Sequence, residues 1–237
     1  MGKKQIPIKV ISLDFDGVFP MGKRKYNYEE SLFKNLKKKS RHINKKEIYD
    51  LFENFIKHDR NERLFHKSGK LIPYIQNYLK SKKINNIEAN EIVLDALLDK
   101  NTIYPLTKKL KSFFKFIVNN NIKIALVSDT IFPTIMRRII LQKWGLLQYF
   151  DVVLTSQEHD RKNGLKIFKI MINYFNVKPG EILHVGNELS NDITPAKKAG
   201  IQTCLILNSN KNDIIKTKIY PDFTIKNLQE LKKLIQN

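Results

Sequence analysis

Apolar positions along this chain fall into two regimes. "IKVISLDF" near the N-terminus reads as a first strand. From about residue 104 onward, short apolar runs alternate with amphipathic stretches of helical length. "IKIALVSD" at 122–129, "FDVVLTS" at 150–156, "EILHVGN" at 181–187 and "IQTCLIL" at 201–207 continue the strand series, and "DFTIKN" offers a short last member. The helical stretches have legible ends. "PLTKKLKSFFKFIVNNN" opens on Pro105, whose fixed φ suits a first turn, and "PTIMRRIILQKWG" opens on Pro133 and stops at Gly145. "NGLKIFKIMINYFNV" ends before a Lys-Pro-Gly turn, and "DITPAKKAG" is closed by Gly200. Strands alternating with helices of this size pair in parallel through right-handed crossovers, which predicts an α/β fold built on a doubly wound parallel sheet.

Between the first and second strands the pattern changes. Residues 20–103 contain no convincing strand, only helical patterns: "YNYEESLFKNLKKK", "KKEIYDLFENFIKH", "KLIPYIQNYLKS" and "IEANEIVLDALLDK". Apolar side chains recur there every three or four positions, as in Ile48, Leu51, Phe52, Phe55 and Ile56. A segment of that length is too long for a loop, so it predicts a helical subdomain over 20–103, inserted into a core formed by 1–19 and 104–237.

Composition narrows the setting. With 237 residues, 42% of them hydrophobic, the chain can build a packed interior. The single cysteine, Cys204, excludes an intramolecular disulfide framework and a clustered-thiolate zinc site, and fits a reducing compartment. "MGKKQIPIKV" lacks an apolar stretch of signal-peptide length, no segment approaches a membrane span, and "MGKKQI" lacks the Ser or Thr of a myristoylation motif. The expectation is a soluble, cytoplasmic protein. The formal charge of +20 is large, but its lysines recur with isoleucine and asparagine throughout, as in "SKKINNIEAN", and not in one arginine- and aromatic-bearing stripe. That spread argues against a nucleic-acid partner and for a generally basic surface that draws anionic small molecules to any cleft. Oligomeric state is not legible.

In an open parallel sheet, ligands bind outside the carboxyl ends of the strands. The first strand ends in Asp14, Phe15, Asp16 and Gly17, and the second in Ser128 and Asp129. "SQEHDRKNG", with Arg161 and Lys162, follows the third, while the fourth ends in Gly186 and Asn187 with Asp192 a little beyond. Each residue alone has a plain structural reading, an aspartate as a turn former or a loop lysine as solvated surface. Together they place carboxylates, a hydroxyl, an ammonium and an amide on one rim.

In this order, the motifs resemble those of the haloacid dehalogenase superfamily, in its phosphatase branch with a helical cap between strands one and two. "DFDGV" resembles the first motif, "LVSD" the second, "RKNGLKIF" the third and "LHVGNELSNDITPAKKAG" the fourth. The resemblance implies a Rossmann-like core and a Mg²⁺-dependent phosphohydrolase of small phosphorylated metabolites. It implies Asp14 as the nucleophile that forms a phosphoaspartate and Asp16 as the acid and base for the leaving alcohol and the attacking water. Ser128 and Lys162 would grip the phosphoryl oxygens, and Asp14, Asp16, Asn187 and Asp192 would supply the metal site. Residue types suit that chemistry: a hard dication held by oxygens cancels the repulsion between a carboxylate and an anionic ester. A strict strand would put Asp14 and Asp16 on one face, so both reach the cleft only if the chain leaves strand geometry there, as Gly17 permits. One departure stands out. Where the family's fourth motif begins Gly-Asp, this chain has Gly186-Asn187, and an amide brings the metal no charge. Two alternatives stay open: a phosphosugar mutase of the same superfamily, and a non-catalytic protein whose basic surface engages RNA or an acidic partner.

Other tempting residues have plainer expectations. His184 reads as a strand residue beside the site, His159 and Arg161 as solvated, Asp129 and Thr130 as caps of the following helix, and Trp144 as helix-end packing. "GKRKYNY" at 22–28 offers three bases beside the nucleophile loop, and Arg60, Arg63 and His66 are candidates for reading substrate from the cap.

Overall fold

A computed structural model describes residues 7–19, 28–85, 87–99, 107–207 and 220–236. Six strands form one sheet: β1 (Val10–Leu13), β2 (Lys123–Ser128), β3 (Val152–Thr155), β4 (Ile182–Gly186), β5 (Gln202–Ile206) and β6 (Phe223–Ile225). Their order is β3-β2-β1-β4-β5-β6, and every neighbouring pair is parallel. β1 and β4 are buried at every position, as expected of strands covered on both faces. The predicted strands therefore stand, each trimmed by a residue or two at its ends.

The sheet is flanked by α5 (Lys108–Asn119), α6 (Thr134–Lys143), α7 (Lys166–Phe175), α8 (Thr194–Lys198) and α9 (Leu231–Gln236). Thr107 caps α5 by accepting a hydrogen bond from the Leu110 N–H at 3.3 Å. Pro133 is the N-cap of α6 and not a member of its first turn, and Pro105 lies outside the described residues.

Among the described residues four helices stand between β1 and α5: α1 (Tyr28–Lys39), α2 (Lys45–Leu64), α3 (Leu71–Ser81) and α4 (Ala89–Leu98). No strand interrupts them among the described residues. α1 carries Glu29 and Glu30 in its first turn and three lysines in its last, the order the helix dipole favours. Asn44 caps α2, accepting from the Glu47 N–H at 2.9 Å. α2 runs six residues beyond the predicted "KKEIYDLFENFIKH", and its buried face comprises Ile48, Leu51, Phe52, Phe55 and Asp59, whereas Ile56 is exposed. The apolar core is continuous from Ile11 and Leu13 of the sheet to Leu32, Phe55 and Leu71 of these helices. Tyr28 meets Phe132, from the loop after β2, edge to face at 5.2 Å.

β1 lies between β2 and β4, so the chain winds toward one edge through β2 and β3 and then toward the other through β4, β5 and β6. The junction of β1 and β4 is the point where the strand order reverses, and the crevice of such a sheet opens there. Register aligns the rim: Leu13 is level with Leu126 and Val185, and Ser128 with Thr155.

Candidate active site

Asp14 immediately follows β1, and its N–H still donates to the Val185 carbonyl at 2.9 Å. The chain then turns out of strand geometry. Gly17 has φ +85°, a left-handed conformation that costs an L-residue about 1–2 kcal/mol. As a result the two acids diverge. Asp14 turns inward and is 7% exposed. Asp16 turns outward, with its carboxylate taking a 2.7 Å hydrogen bond from Arg137. Arg137 is itself buried and lies 4.1 Å from the centre of the Phe15 ring. Phe15 in turn stacks on Trp144, the C-cap of α6, so Trp144 is the helix-end packing expected of it.

Lys162 begins a short turn after β3 and is 2% exposed. Its Nζ donates to Asp14 Oδ1 at 2.8 Å and to Asp192 Oδ1 at 2.5 Å. Asp192 lies in the wide turn Leu189–Ile193 and is pressed against the end of β4. A Cβ on Gly186 would stand 2.2 Å from the Asp192 Cβ, so only glycine admits this approach. The other Asp192 oxygen accepts the Asn187 and Glu188 N–H groups at 2.9 Å each. Both oxygens of Asp192 are therefore engaged, in fixing Lys162 and the loop after β4.

Burial dominates the electrostatics. It pushes the Asp14 carboxyl up to about 7, against the Lys162 charge and with help from Asp192 and Asp16. Burial also works against the charge on Lys162, but Asp14, Asp192 and Asp129 outweigh it and hold the ammonium above its ordinary value. The same burial would raise Asp192, yet Lys162 and His184 hold it well below the usual carboxylate range. His184, fully buried in β4, takes part through Nε2, 4.0 Å from Asp192 Oδ1. Its Nδ1 is 2.9 Å from Ser12 Oγ, and burial pushes its pKa down.

Ser128, the last residue of β2, is fully buried at the same rim, and its hydroxyl donates to the Asp129 carbonyl at 3.3 Å. Asn187 lies against the turn at Gly17, where a Cβ would come within 2.6 Å of the Asn187 Cγ. The glycine thus serves twice, for its φ and for the space that lets Asn187 reach the Asp14–Asp16 loop. The structure brings Asp14, Lys162 and Asp192 into direct contact, sets Ser128 and Asn187 on the same rim, and holds the Asp16 carboxylate aside on Arg137. Among the described residues no three His, Cys, Asp or Glu side chains converge as a metal cluster. The available donors are instead the Asp14 carboxylate, the Asp16 backbone carbonyl and the Asn187 amide oxygen. Asp14 and Asp16 follow β1 and Asn187 follows the neighbouring β4, with the Asn187 side chain against the turn at Gly17. Oxygen donors of this kind suit a hard divalent cation such as Mg²⁺, with one fewer charge than an aspartate at 187 would give.

Several expectations are corrected. Arg161 is not solvated: it is 7% exposed, with Nη2 3.2 Å from Asp129 Oδ2. Asp129 does not cap α6, since its other oxygen accepts the Lys162 N–H at 3.1 Å. The Thr130 hydroxyl accepts the nearby Phe132 N–H, in a local turn and not as a cap of α6. His159 is half-buried. Of the cap candidates, Arg60 is exposed, Arg63 pairs with Asp59, and His66 Nδ1 lies 3.1 Å from Asn163 Oδ1 of the core. Residues 22–27 of the basic stretch lie outside the described residues. Sequence reasoning missed Arg137 altogether, since a helical arginine outside every motif carries no local signal. Arg161 and Asp129 had a signal, being the immediate neighbours of Lys162 and Ser128.

A parallel sheet with acids, a hydroxyl and a lysine gathered at its switch point defines a Rossmann-like α/β core with a candidate active site at its rim. The haloacid dehalogenase-like hydrolase family model matches residues 25–206, and the chain belongs to that family. The matched stretch begins after Asp14 and Asp16. In sequence the chain is 33% identical over 117 residues to glyceraldehyde 3-phosphate phosphatase of Methanocaldococcus jannaschii, covering 49% of this chain and 50% of that protein. It is 30% identical over 90 residues to human N-acylneuraminate-9-phosphatase, covering 38% and 36% respectively. The chain thus spans half or less of the length of these curated relatives. In structure it resembles a HAD phosphatase from Thermococcus onnurineus over 96% of this chain and 98% of that one, with a TM-score of 0.65 and 26% identity. No helix among the described residues is long and apolar enough to cross a membrane.

Proposed function

We propose that the protein is a Mg²⁺-dependent phosphohydrolase of small phosphorylated metabolites, working through a phosphoaspartate on Asp14. The observation that carries this reading is the buried Asp14–Lys162–Asp192 contact at the switch point of the sheet. The relatives' names, phosphatases of a triose phosphate and of a sugar-acid phosphate, support the substrate class. Residues 1–19 and 104–237 act as the catalytic core, and 20–103 as a cap. Asp14 is nearly inaccessible, so substrate enters when the cap helices open and reacts when they close.

Asp14 attacks phosphorus, the ester oxygen departs, and Asp16 gives it a proton to release the alcohol. Water then attacks the phosphoaspartate, Asp16 takes the proton, and inorganic phosphate leaves with Asp14 regenerated. For this, Asp16 must leave Arg137 and turn inward. Lys162 and Ser128 hold the phosphoryl oxygens, and Asp192 serves by keeping Lys162 in place. Mg²⁺ held by Asp14, the Asp16 carbonyl and Asn187 supplies charge neutralisation at the phosphoryl group.

Turnover of a generic aryl phosphate and of a panel of phosphorylated metabolites, with Mg²⁺, tests this. Wild type should turn over and should carry a hydroxylamine-labile phosphoryl label, and Asp14→Asn should lose both. Activity that survives Asp14→Asn, or a wild type with no activity on the panel, overturns the reading.

A further inference from the structure

The loop joining α2 to α3 is docked on the strand-end loops of the core by a chain of hydrogen bonds. The His66 carbonyl accepts the Arg161 N–H at 2.6 Å, and the Leu71 N–H donates to the Ile131 carbonyl at 3.3 Å. Gln157 Nε2 donates to both the Gly69 and Thr130 carbonyls at 3.0 Å. Ser68 is the centre of the arrangement: 6% exposed, it lies 2.6 Å from Ser156 Oγ and accepts from Arg161 Nη1 at 3.0 Å. Ser156 Oγ accepts the Thr130 N–H at 2.9 Å and lies 3.3 Å from the Thr130 carbonyl. The hydroxyl protons can therefore run in one direction, Ser68 to Ser156 to Thr130. The loop is tied back to α2 by Asp59, which accepts the Gly69 N–H at 2.7 Å.

A buried guanidinium is tolerated only while its N–H groups are satisfied. Asp129 satisfies one edge of Arg161, and Ser68 another. Asp129 in turn receives the Lys162 N–H. The loop of the helical insert is thus linked, through two side chains, to the backbone of the lysine that bridges the two buried acids.

We propose that Arg161 is a positioning residue for Lys162 and that Ser68 completes its coordination only while the α2–α3 loop is docked, so that closure of the helical insert sets the lysine in place. This rests on the phosphohydrolase reading of the site. When the loop departs, Arg161 loses Ser68 and the His66 carbonyl together. Its guanidinium then turns toward water, Asp129 loosens, and Lys162 loses its backbone anchor. The arrangement couples the catalytic register of the core to the presence of the cap.

The test uses the full chain and an aryl phosphate with Mg²⁺. Ser68→Ala should lower kcat about tenfold with KM nearly unchanged, and Arg161→Met about a hundredfold, because a bond to a charged donor is lost while the fold remains. Arg161→Lys should recover part of that loss through Asp129. Adding Ser68→Ala to Arg161→Met should cost nothing further, since both act through one link. Amide hydrogen exchange at residues 161–165 supplies a readout independent of turnover, and it should quicken in Ser68→Ala at unchanged melting temperature. Ser68→Ala with wild-type kcat and wild-type exchange overturns the link, as does full additivity of the two substitutions. A wild type that turns nothing over, yet shows the quickened exchange in Ser68→Ala, overturns the phosphohydrolase reading and leaves the link standing.

Discussion

Asp14→Asn should make the protein more stable at neutral and alkaline pH while abolishing its activity. The carboxyl is lifted from an ordinary 3.8 to about 7 in the folded chain, chiefly by burial. Between those two values the folded state retains a proton that the unfolded state has released. Its contribution to stability is therefore fully present below about pH 4 and is lost as pH rises through about 7. Three pH units at about 1.4 kcal/mol each set an upper bound of about 4 kcal/mol on that loss. Asparagine has nearly the same shape and nothing to ionise, and Lys162 keeps Asp192 as its partner.

The assay is urea unfolding of wild type and Asp14→Asn across pH 4 to 9 with a chelator present. The two midpoints should coincide near pH 4 and separate in favour of the variant as pH rises, levelling off above about 8. Adding Mg²⁺ should then raise the wild-type midpoint and leave the variant nearly unmoved, because the dication stabilises only the form with the carboxylate. A variant less stable than wild type at every pH, or a separation with no pH dependence, would refute the claim that burial of Asp14 is an electrostatic cost held in the resting site.

Lys162→Met should be strongly destabilising, by about 3–5 kcal/mol, since it leaves Asp14 and Asp192 buried and facing each other without a cation; thermal unfolding at pH 8 reads the loss, and lowering the pH toward 5 should recover part of it. Gly17→Ala should cost about 1–2 kcal/mol for its left-handed φ alone, and more from the 2.6 Å clash with Asn187, with the activity loss exceeding what the change in melting temperature explains.

The sheet was legible because each buried parallel strand leaves a short continuous apolar run, and the order of motifs along those runs gave the rim. Asp14, Lys162 and Asp192 are far apart in the chain, and only the alignment of strand ends brings them together. What the sequence could not show is where a polar side chain goes once it reaches the rim. Asp16 is two residues from Asp14, yet the chain leaves strand geometry between them and its carboxylate goes to Arg137 on α6. Asp192 has the charge of a metal ligand, but two backbone N–H groups and Lys162 already engage its oxygens. Arg161 has the composition of a surface residue and is buried because a loop from the helical insert covers it. Each of the three meets a side chain distant in sequence, Arg137 for Asp16, Lys162 for Asp192 and Ser68 for Arg161, and local pattern does not specify that partner.

The asparagine at 187 follows the same charge logic. Two buried carboxylates, Asp14 and Asp192, face one buried ammonium, and the nearby Arg161 is already balanced by Asp129. The site therefore holds one more buried carboxylate than ammonium before any cation arrives, and the cost falls on Asp14, whose pKa is raised chiefly by burial, with Asp192 and Asp16 adding to it. An aspartate at 187, against the turn that carries Asp14 and Asp16, would add a second. Asn187→Asp should thus have opposite effects in the two states: without Mg²⁺ it should lower stability and push the Asp14 pKa higher, and with Mg²⁺ it should bind the ion roughly tenfold more tightly. Calorimetric titration of Mg²⁺ into both proteins, beside their melting temperatures in chelator, separates these effects. Equal affinities would place Asn187 outside the metal's reach. Tighter binding with no loss of stability in chelator would mean the resting site is not short of positive charge, and that the charge beside Asp14 does not add to the cost of its burial.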